Sequence, residues 1–225
     1  MTTLQCCPAI HLTRDPADSA VGYRTPGVDL RLASLPLEHL ADIGGVPVVT
    51  IARAVVDIAR TRPFVDGVVA ADAALRAGLD RRLLEAVLAD CARWPGIRGA
   101  RAVVAFADPL TESALESAGR VLMHRTGLPR PTLQHWLGRD GERRHRVDFW
   151  FPEHRTVGEA DGLEKYRSAE RDVAQEQQDR DAELSDLDLE IVHFGWADCF
   201  VRPPERLAAR FRRAFARAER HRRTG

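Results

Sequence analysis

The sequence predicts an α/β (α+β) fold in which a mixed sheet is flanked by helices and preceded by a small, mostly helical domain. In the first hundred residues, several runs repeat apolar residues every three or four positions, which is typical of helices that pack on one face. In the second half, short β-type runs alternate with helical runs in the order α-β-β-β-α-β-α. That order is typical of helices packed on a small mixed sheet.

Length and composition describe an ordinary globular protein. The 225 residues can bury one large core or two modest ones, and we expect two domains. Hydrophobic residues make up 44% of the chain and charged residues 29%. Because Lys+Arg and Asp+Glu are both 33, the overall charge gives no argument for a polyanionic partner.

Membrane and disulfide chemistry are not indicated. No run approaches about 18 consecutive apolar residues, and the start of the chain lacks a signal-peptide pattern, so we expect no membrane partner and a cytoplasmic location. The four cysteines show no zinc-ligand or disulfide spacing, which predicts reduced thiols.

The N-terminal half contains one predicted strand, at 28–34, where apolar and polar residues alternate. Thr50 is a suitable cap for a first helix. The predicted helices cover 51–59, 65–77, 80–92 and 98–107. A break at Asp108-Pro109 divides the chain into domains 1–108 and 109–225, because proline restricts the residue before it and suits a new helix start.

The C-terminal half opens with a helix that runs to about residue 125. Ser113 and Glu116 fit a capping box at its start, although Thr111 or Asp108 could cap instead. The predicted elements that follow are strands at 134–137, 144–151 and 156–160, a helix at 168–184, a strand at 190–194 and a helix at 204–220.

A pair of carboxylates stands out in the central hairpin. Alternation along the strand places Val147, Phe149 and Phe151 on one face and Asp148 on the other. The simplest register across the turn at 152–155 sets Asp148 opposite Glu159. Like charges in that position are destabilising unless a cation lies between them, although a pair on a solvated surface is the alternative.

Further groups complete a predicted metal site. Asp161 lies two residues after Glu159 and should share its face, which gives three carboxylates of the kind that Mg²⁺ (or Mn²⁺) accepts. Glu116 is an auxiliary carboxylate, unless it serves only as a helix cap. Such a group can hydrolyse phosphodiesters, because a metal polarises the phosphoryl oxygen and activates water.

Lys165 is the only lysine, since the other 32 basic residues are arginine. Where lysine has been replaced everywhere else, the position that keeps it is a candidate for chemistry that needs a compact ammonium. Lys165 is therefore the predicted charge stabiliser, and the alternative is a lysine left by chance on a solvated face.

These motifs resemble the core of the PD-(D/E)XK nuclease superfamily, in its bacterial branch related to very-short-patch repair endonucleases. The resemblance rests on 147–150, 157–162 and Lys165-Tyr166, and it extends from Thr111 to the C-terminal helix. It implies a restriction-endonuclease-like fold, with Asp148 and Glu159 as metal ligands. Asp161 fills the position of the usual catalytic lysine, which leaves that role to Lys165 or to no residue. Gln177-Gln178 replaces an acid and a lysine of many relatives, which weakens the case for turnover.

The N-terminal half is similar to the region that follows the winged helix in AbiEi-type antitoxin-like proteins, through Gly45-Val46-Pro47-Val48-Val49-Thr50 and Asp57-Ile58-Ala59. The winged helix itself is expected to be missing here, as in a truncated or mis-started gene product.

Arginine clusters indicate nucleic-acid contact. Nine arginines lie between 202 and 223, and four more lie between 139 and 146. The predicted contact residues are Arg144, Arg146, Arg180, Arg210 and Arg213. The alternative is a solvated amphipathic helix. His145, His154 and His193 lack metal-ligand spacing and are expected to be structural or surface residues.

The sequence therefore predicts a Mg²⁺-dependent endonuclease that acts on DNA. Asp148, Glu159 and Asp161 are its predicted ligands, Lys165 its charge stabiliser and Glu116 its auxiliary carboxylate. The alternative is an inactive nuclease fold that serves as a DNA-binding or antitoxin-type regulator, with a protein partner or a second copy as its binding partner.

Overall fold

The computed structural model describes residues 10–17, 23–138, 142–162 and 171–224. The strands are β1 (Ile10–Arg14), β2 (Tyr23–Thr25), β3 (Val28–Leu32), β4 (Leu40–Ile43), β5 (Val46–Val49), β6 (Thr132–Leu137), β7 (His145–Phe151), β8 (Thr156–Ala160) and β9 (Glu190–Phe194). The helices are α1 (Ile51–Thr61), α2 (Phe64–Arg76), α3 (Arg81–Asp90), α4 (Ile97–Phe106), α5 (Ala114–Arg125), α6 (Arg171–Ser185), α7 (Trp196–Phe200) and α8 (Pro204–Thr224). The predicted α/β fold class is confirmed. Among these helices, none is long and apolar enough to cross a membrane.

Helices α1 to α4 form the first core. All four are predicted from apolar periodicity, and Thr50 caps α1 by accepting the backbone N–H of Arg53. Val56, Val68 and Val103 are fully buried where α1, α2 and α4 meet. The helical part of the N-terminal half is thus confirmed.

Strands are more numerous in the N-terminal half than predicted. Only β3 is predicted; β1 pairs with it in parallel, β2 pairs with it antiparallel, and β4 and β5 form a separate hairpin. Gly44 and Gly45 both have positive φ, at 62° and 84°, in the two-residue turn of this hairpin. That conformation is available to glycine at little cost, which explains why the Gly-Gly pair stands there.

The C-terminal half contains a four-stranded sheet in the order β6-β7-β8-β9. β6 and β8 each pair antiparallel with β7, whereas β8 and β9 are parallel, so the sheet is mixed. The predicted order α-β-β-β-α-β-α is confirmed, with the short helix α7 as an addition that the sequence analysis missed.

The predicted hairpin register is confirmed along the β7–β8 ladder. Phe149 lies opposite Gly158 and Phe151 opposite Thr156, and the ladder ends before Asp148. The prediction that Val147 shares a face with Phe149 and Phe151 is wrong. Val147 packs with Val157 and Leu184, in a cluster separate from the core that holds both phenylalanines. The change coincides with an interruption of the β6–β7 ladder, whose register passes from Leu133–Phe149 to His135–Val147 and leaves out Gln134, a residue with positive φ.

Helix α5 belongs to both cores. Its Val121 packs in the N-terminal core, whereas Leu115 and Met123 pack in the core of the four-stranded sheet. Gly119 faces the ring of Phe194, and a Cβ at this glycine would lie only 2.5 Å from that ring. The close approach fixes the height of α5 over the sheet.

A buried ion pair holds α5 against α2. Asp72, which is fully buried, accepts hydrogen bonds from Arg120 Nη2 on both carboxylate oxygens, at 2.9 and 2.8 Å. Its carboxylate also accepts from the hydroxyls of Thr111 and Ser117 and from the backbone N–H of Asp108. The carboxylate is therefore fully satisfied, as a buried charge requires.

We expect Asp72→Ala to lower the free energy of unfolding by about 3–5 kcal/mol, because it leaves the Arg120 guanidinium buried without its partner. Urea denaturation followed by circular dichroism measures the change. Asp72→Leu combined with Arg120→Met should lose much less, because no charge stays buried. A loss below about 1 kcal/mol in Asp72→Ala, the range of an exposed pair, would contradict the role given to this ion pair.

Candidate active site

Three polar side chains meet where β7 separates from β8. Glu116 lies in the first turn of α5, Gln134 lies on β6, and Asp148 lies on β7 just beyond the β7–β8 ladder. Gln134 Nε2 is 3.0 Å from Glu116 Oε2 and 3.3 Å from Asp148 Oδ1. One amide therefore donates to two carboxylates, one on a helix and one on a strand.

The backbone of Gln134 is unusual. Its φ is 49°, in the left-handed region that residues other than glycine rarely adopt. Such a conformation costs on the order of 1 kcal/mol or more and persists only where the surroundings enforce it. Here it accompanies the contacts of the side chain with both carboxylates.

Glu116 combines the predicted cap with the site. Ser113 caps α5 by accepting the backbone N–H of Glu116, and Glu116 Oε2 accepts the backbone N–H of Glu112 at 2.8 Å. Burial raises the pKa of Glu116, and the nearby negative charge of Asp148 raises it further, while the hydrogen bond from Glu112 opposes the change. The carboxylates of Glu116 and Asp148 are thus close enough to repel each other electrostatically.

Asp148 is held by the neighbouring strand. Its Oδ2 accepts the backbone N–H of Ala160 at 2.9 Å. A side chain thereby bonds a backbone donor of β8 where the two strands are no longer paired, which fixes the carboxylate between them.

Glu159 has a cationic neighbour. It is 97% buried, and its Oε1 lies 2.9 Å from Arg180 Nη2 on α6. Arg180 also donates to the backbone carbonyl of Arg146. α6 thus places a guanidinium at the position where the sequence analysis expects a metal ion to balance the charge.

Asp161 lies beside His193 rather than in a three-carboxylate cluster. Asp161 Oδ2 is 3.0 Å from His193 Nδ1, and Asp181 Oδ2 is 2.9 Å from His193 Nε2. The hydrogen bond to Asp161 raises the pKa of His193, with Asp181 adding to the effect and burial opposing it. His193, expected to be a structural or surface residue, thus links two acidic side chains, a role that spacing alone does not indicate.

The two carboxylates that share the Gln134 amide, Glu116 and Asp148, are not the predicted ligand set of Asp148, Glu159 and Asp161. In the described ranges, no group of three or more His, Cys, Asp and Glu side chains is placed to hold a metal ion. Mg²⁺ commonly uses only one or two carboxylates and keeps several waters, and Glu116 with Asp148 meets that need. The predicted charge stabiliser, Lys165, lies outside the described residues.

Four of the five predicted nucleic-acid contacts already have protein partners. Their ion pairs are Arg144 with Glu183, Arg146 with Glu112, Arg180 with Glu159, and Arg210 with Asp198. Arg213 is exposed and has no ion pair or side-chain hydrogen bond to the described residues. Among the five predicted nucleic-acid contacts, Arg213 is thus the one whose guanidinium has no charged partner in the described part of the chain.

Two curated proteins are similar to the chain: the uncharacterized protein Rv2248 of Mycobacterium tuberculosis strain H37Rv and the uncharacterized protein MT2308 of strain CDC 1551. Each is 33% identical to it over 199 residues, which cover 88% of this chain and 67% of the relative. No protein-family model and no solved structure matches the chain.

The backbone strain at position 134 can be tested by comparing the stability of a glycine variant with that of an alanine variant. Gln134→Gly and Gln134→Ala remove the same contacts, but glycine adopts positive φ without strain, so the glycine variant should be more stable by about 1 kcal/mol. Urea denaturation of both variants measures the difference. Glycine and alanine at the exposed strand residue Trp136 provide the control, where alanine should be the more stable by roughly 0.5–1 kcal/mol. The same order at both positions would show that position 134 is not strained.

Proposed function

This chain belongs to the same family as the uncharacterised Mycobacterium tuberculosis protein Rv2248, and we propose that it is a DNA endonuclease dependent on Mg²⁺ or Mn²⁺. The observation that carries the proposal is the shared contact of Gln134 with Glu116 and Asp148. Bringing two carboxylates together in a half-buried place is unfavourable in itself, and a bound cation removes the cost.

Glu116 and Asp148 would hold the cation. When bound, the metal supplies Lewis-acid stabilisation of a phosphoryl oxygen and a lowered pKa for a water molecule. The donor set consists of hard carboxylate oxygens on two rigid elements, α5 and β7, which suits Mg²⁺ or Mn²⁺ better than a soft metal.

The remaining side chains position these groups. Gln134 orients both carboxylates through its amide, and the Ala160 N–H fixes Asp148 from the other side. Arg180 orients Glu159, and His193 orients Asp161. Lys165 is the group that the sequence offers to steady the charge that develops on the phosphate.

The order of elements supports the same proposal. The described chain follows the α-β-β-β-α-β-α order, and both Asp148 and Glu159 lie at one end of the β7–β8 hairpin. The resemblance to the PD-(D/E)XK superfamily rests on these same residues. The order of elements and the family resemblance thus both favour a site at the end of the β7–β8 hairpin where Asp148 and Glu159 lie.

A second candidate function is a non-catalytic regulator that keeps the nuclease fold as a binding scaffold. The ion pair between Glu159 and Arg180 favours it, because a guanidinium neutralises one of the expected ligands. The replacement of charged residues by Gln177-Gln178 points the same way. A scaffold of this kind could bind DNA without cutting it.

Cleavage of plasmid DNA by the purified chain with Mg²⁺ or Mn²⁺ tests the proposal. We expect Asp148→Ala and Glu116→Gln each to lower the cleavage rate by about 100-fold or more, because each removes a metal ligand. Glu85→Gln is the matched control, because this exposed carboxylate lies on α3, away from the site.

Two outcomes would overturn the endonuclease proposal. One is equal cutting by the parent and Asp148→Ala, which would mark a contaminating nuclease. The other is no cutting by a folded parent that binds Mn²⁺, which would favour the scaffold.

A further inference from the structure

A stripe of arginines runs along α8. Arg206, Arg210, Arg213, Arg217 and Arg220, here called the α8 stripe, follow one another at intervals of four, three, four and three residues. This spacing places them on one face of the helix. Another face carries the residues that pack on the sheet, Leu207, Phe211 and Phe215.

The α8 stripe follows the strand at the edge of the sheet. Arg210 donates to the backbone carbonyl of His193, and Arg217 Nη2 lies 2.7 Å from Glu190 Oε2. His193 and Glu190 are near opposite ends of β9, which is the last strand in the described order of the sheet. The stripe therefore runs beside β9 and reaches the end where His193 meets Asp161.

Contacts within the protein account for only part of the stripe, because Arg210, Arg217 and Arg220 have partners there. Arg206 and Arg213 are exposed and have no side-chain hydrogen bond or ion pair to the described residues. Like charges three or four residues apart destabilise a helix by roughly 0.2–0.5 kcal/mol per pair. The chain as a whole has no net charge, so this excess of one sign is local.

We propose that the α8 stripe binds the phosphate backbone of a nucleic acid and directs it along β9 toward the candidate active site. The proposal rests on the proposed function in one respect, that DNA is the substrate. Guanidinium groups suit phosphates because they can donate two parallel hydrogen bonds. From Arg206 to Arg220 the stripe is about 21 Å long, which matches the axial length of about six nucleotides of one DNA strand.

The test is the salt dependence of DNA binding, measured by fluorescence anisotropy on the full chain with a labelled duplex in EDTA. EDTA prevents metal-dependent cleavage, so binding is measured apart from catalysis. We expect the double variant Arg206→Ala/Arg213→Ala to bind about tenfold more weakly. The slope of log K against log salt should fall by about two, one for each lost phosphate contact.

Arg222→Ala is the matched control. Arg222 is exposed on the same helix, faces away from the stripe and has no ion pair or hydrogen bond among the described residues. Its affinity and slope should equal those of the parent. Circular dichroism should show that all variants keep the parent's fold, because none of the three arginines has a partner to lose within the described chain.

Several results separate the stripe from the endonuclease proposal. An unchanged slope in the double variant, an equal loss in Arg222→Ala or a parent that binds no nucleic acid would overturn the stripe, even if the parent cuts plasmid DNA. Asp148→Ala should keep the parent's slope, because it removes no phosphate contact. A labelled RNA duplex run in parallel identifies the source of the phosphates. A fall in the slope by about two on RNA alone would support the stripe but reassign the substrate to RNA.

Discussion

The buried ion pair between Asp72 and Arg120 sets the position of α5, and the candidate site depends on that position. Glu116 lies one helical turn before Arg120 on the same helix, so the contacts that hold Arg120 against α2 also determine where Glu116 meets the sheet. The N-terminal helices thus contribute to the site without supplying any of its side chains. Gly119, whose close approach to Phe194 leaves no room for a side chain, limits the same helix from the sheet side.

The site itself is formed where regular pairing stops. Beyond Phe149 the β7–β8 ladder ends, and the carboxylate of Asp148 bonds the backbone of Ala160. On the other side, Gln134 takes a strained backbone conformation and reaches both carboxylates. In a regular sheet the side chains of β6 and β7 would alternate between the two faces. The irregular backbone at Gln134 instead lets its amide reach the carboxylates of both Glu116 and Asp148. The ion pair with Arg180 gives Glu159, one of the three predicted metal ligands, a cationic partner from the protein itself.

Local patterns predicted the elements that local forces determine. Apolar periodicity identified α1 and α3, and the capping box at Ser113 marked the start of α5. The turn after Phe151 was enough to fix the β7–β8 register. Strands β2, β4 and β5 escaped prediction because they are three or four residues long, too short for a clear alternation. The contact of Asp161 with His193, the residue that lies opposite Glu159 on β9, depends on how β9 pairs with β8, and the spacing of the acidic residues does not predict that pairing. The roles of Gln134 and His193 depend on how α5 and α6 dock, which no spacing within the sequence encodes.

The central claim is that Glu116 and Asp148 form a divalent-cation site. The most direct measurement is a crystal structure of the chain soaked in Mn²⁺, with data collected for the anomalous signal of manganese. The account predicts an anomalous peak between the two carboxylates, at about 2.0–2.2 Å from an oxygen of each. A peak beside Asp161 and His193 instead, or none at either place in crystals of the intact chain, would contradict it.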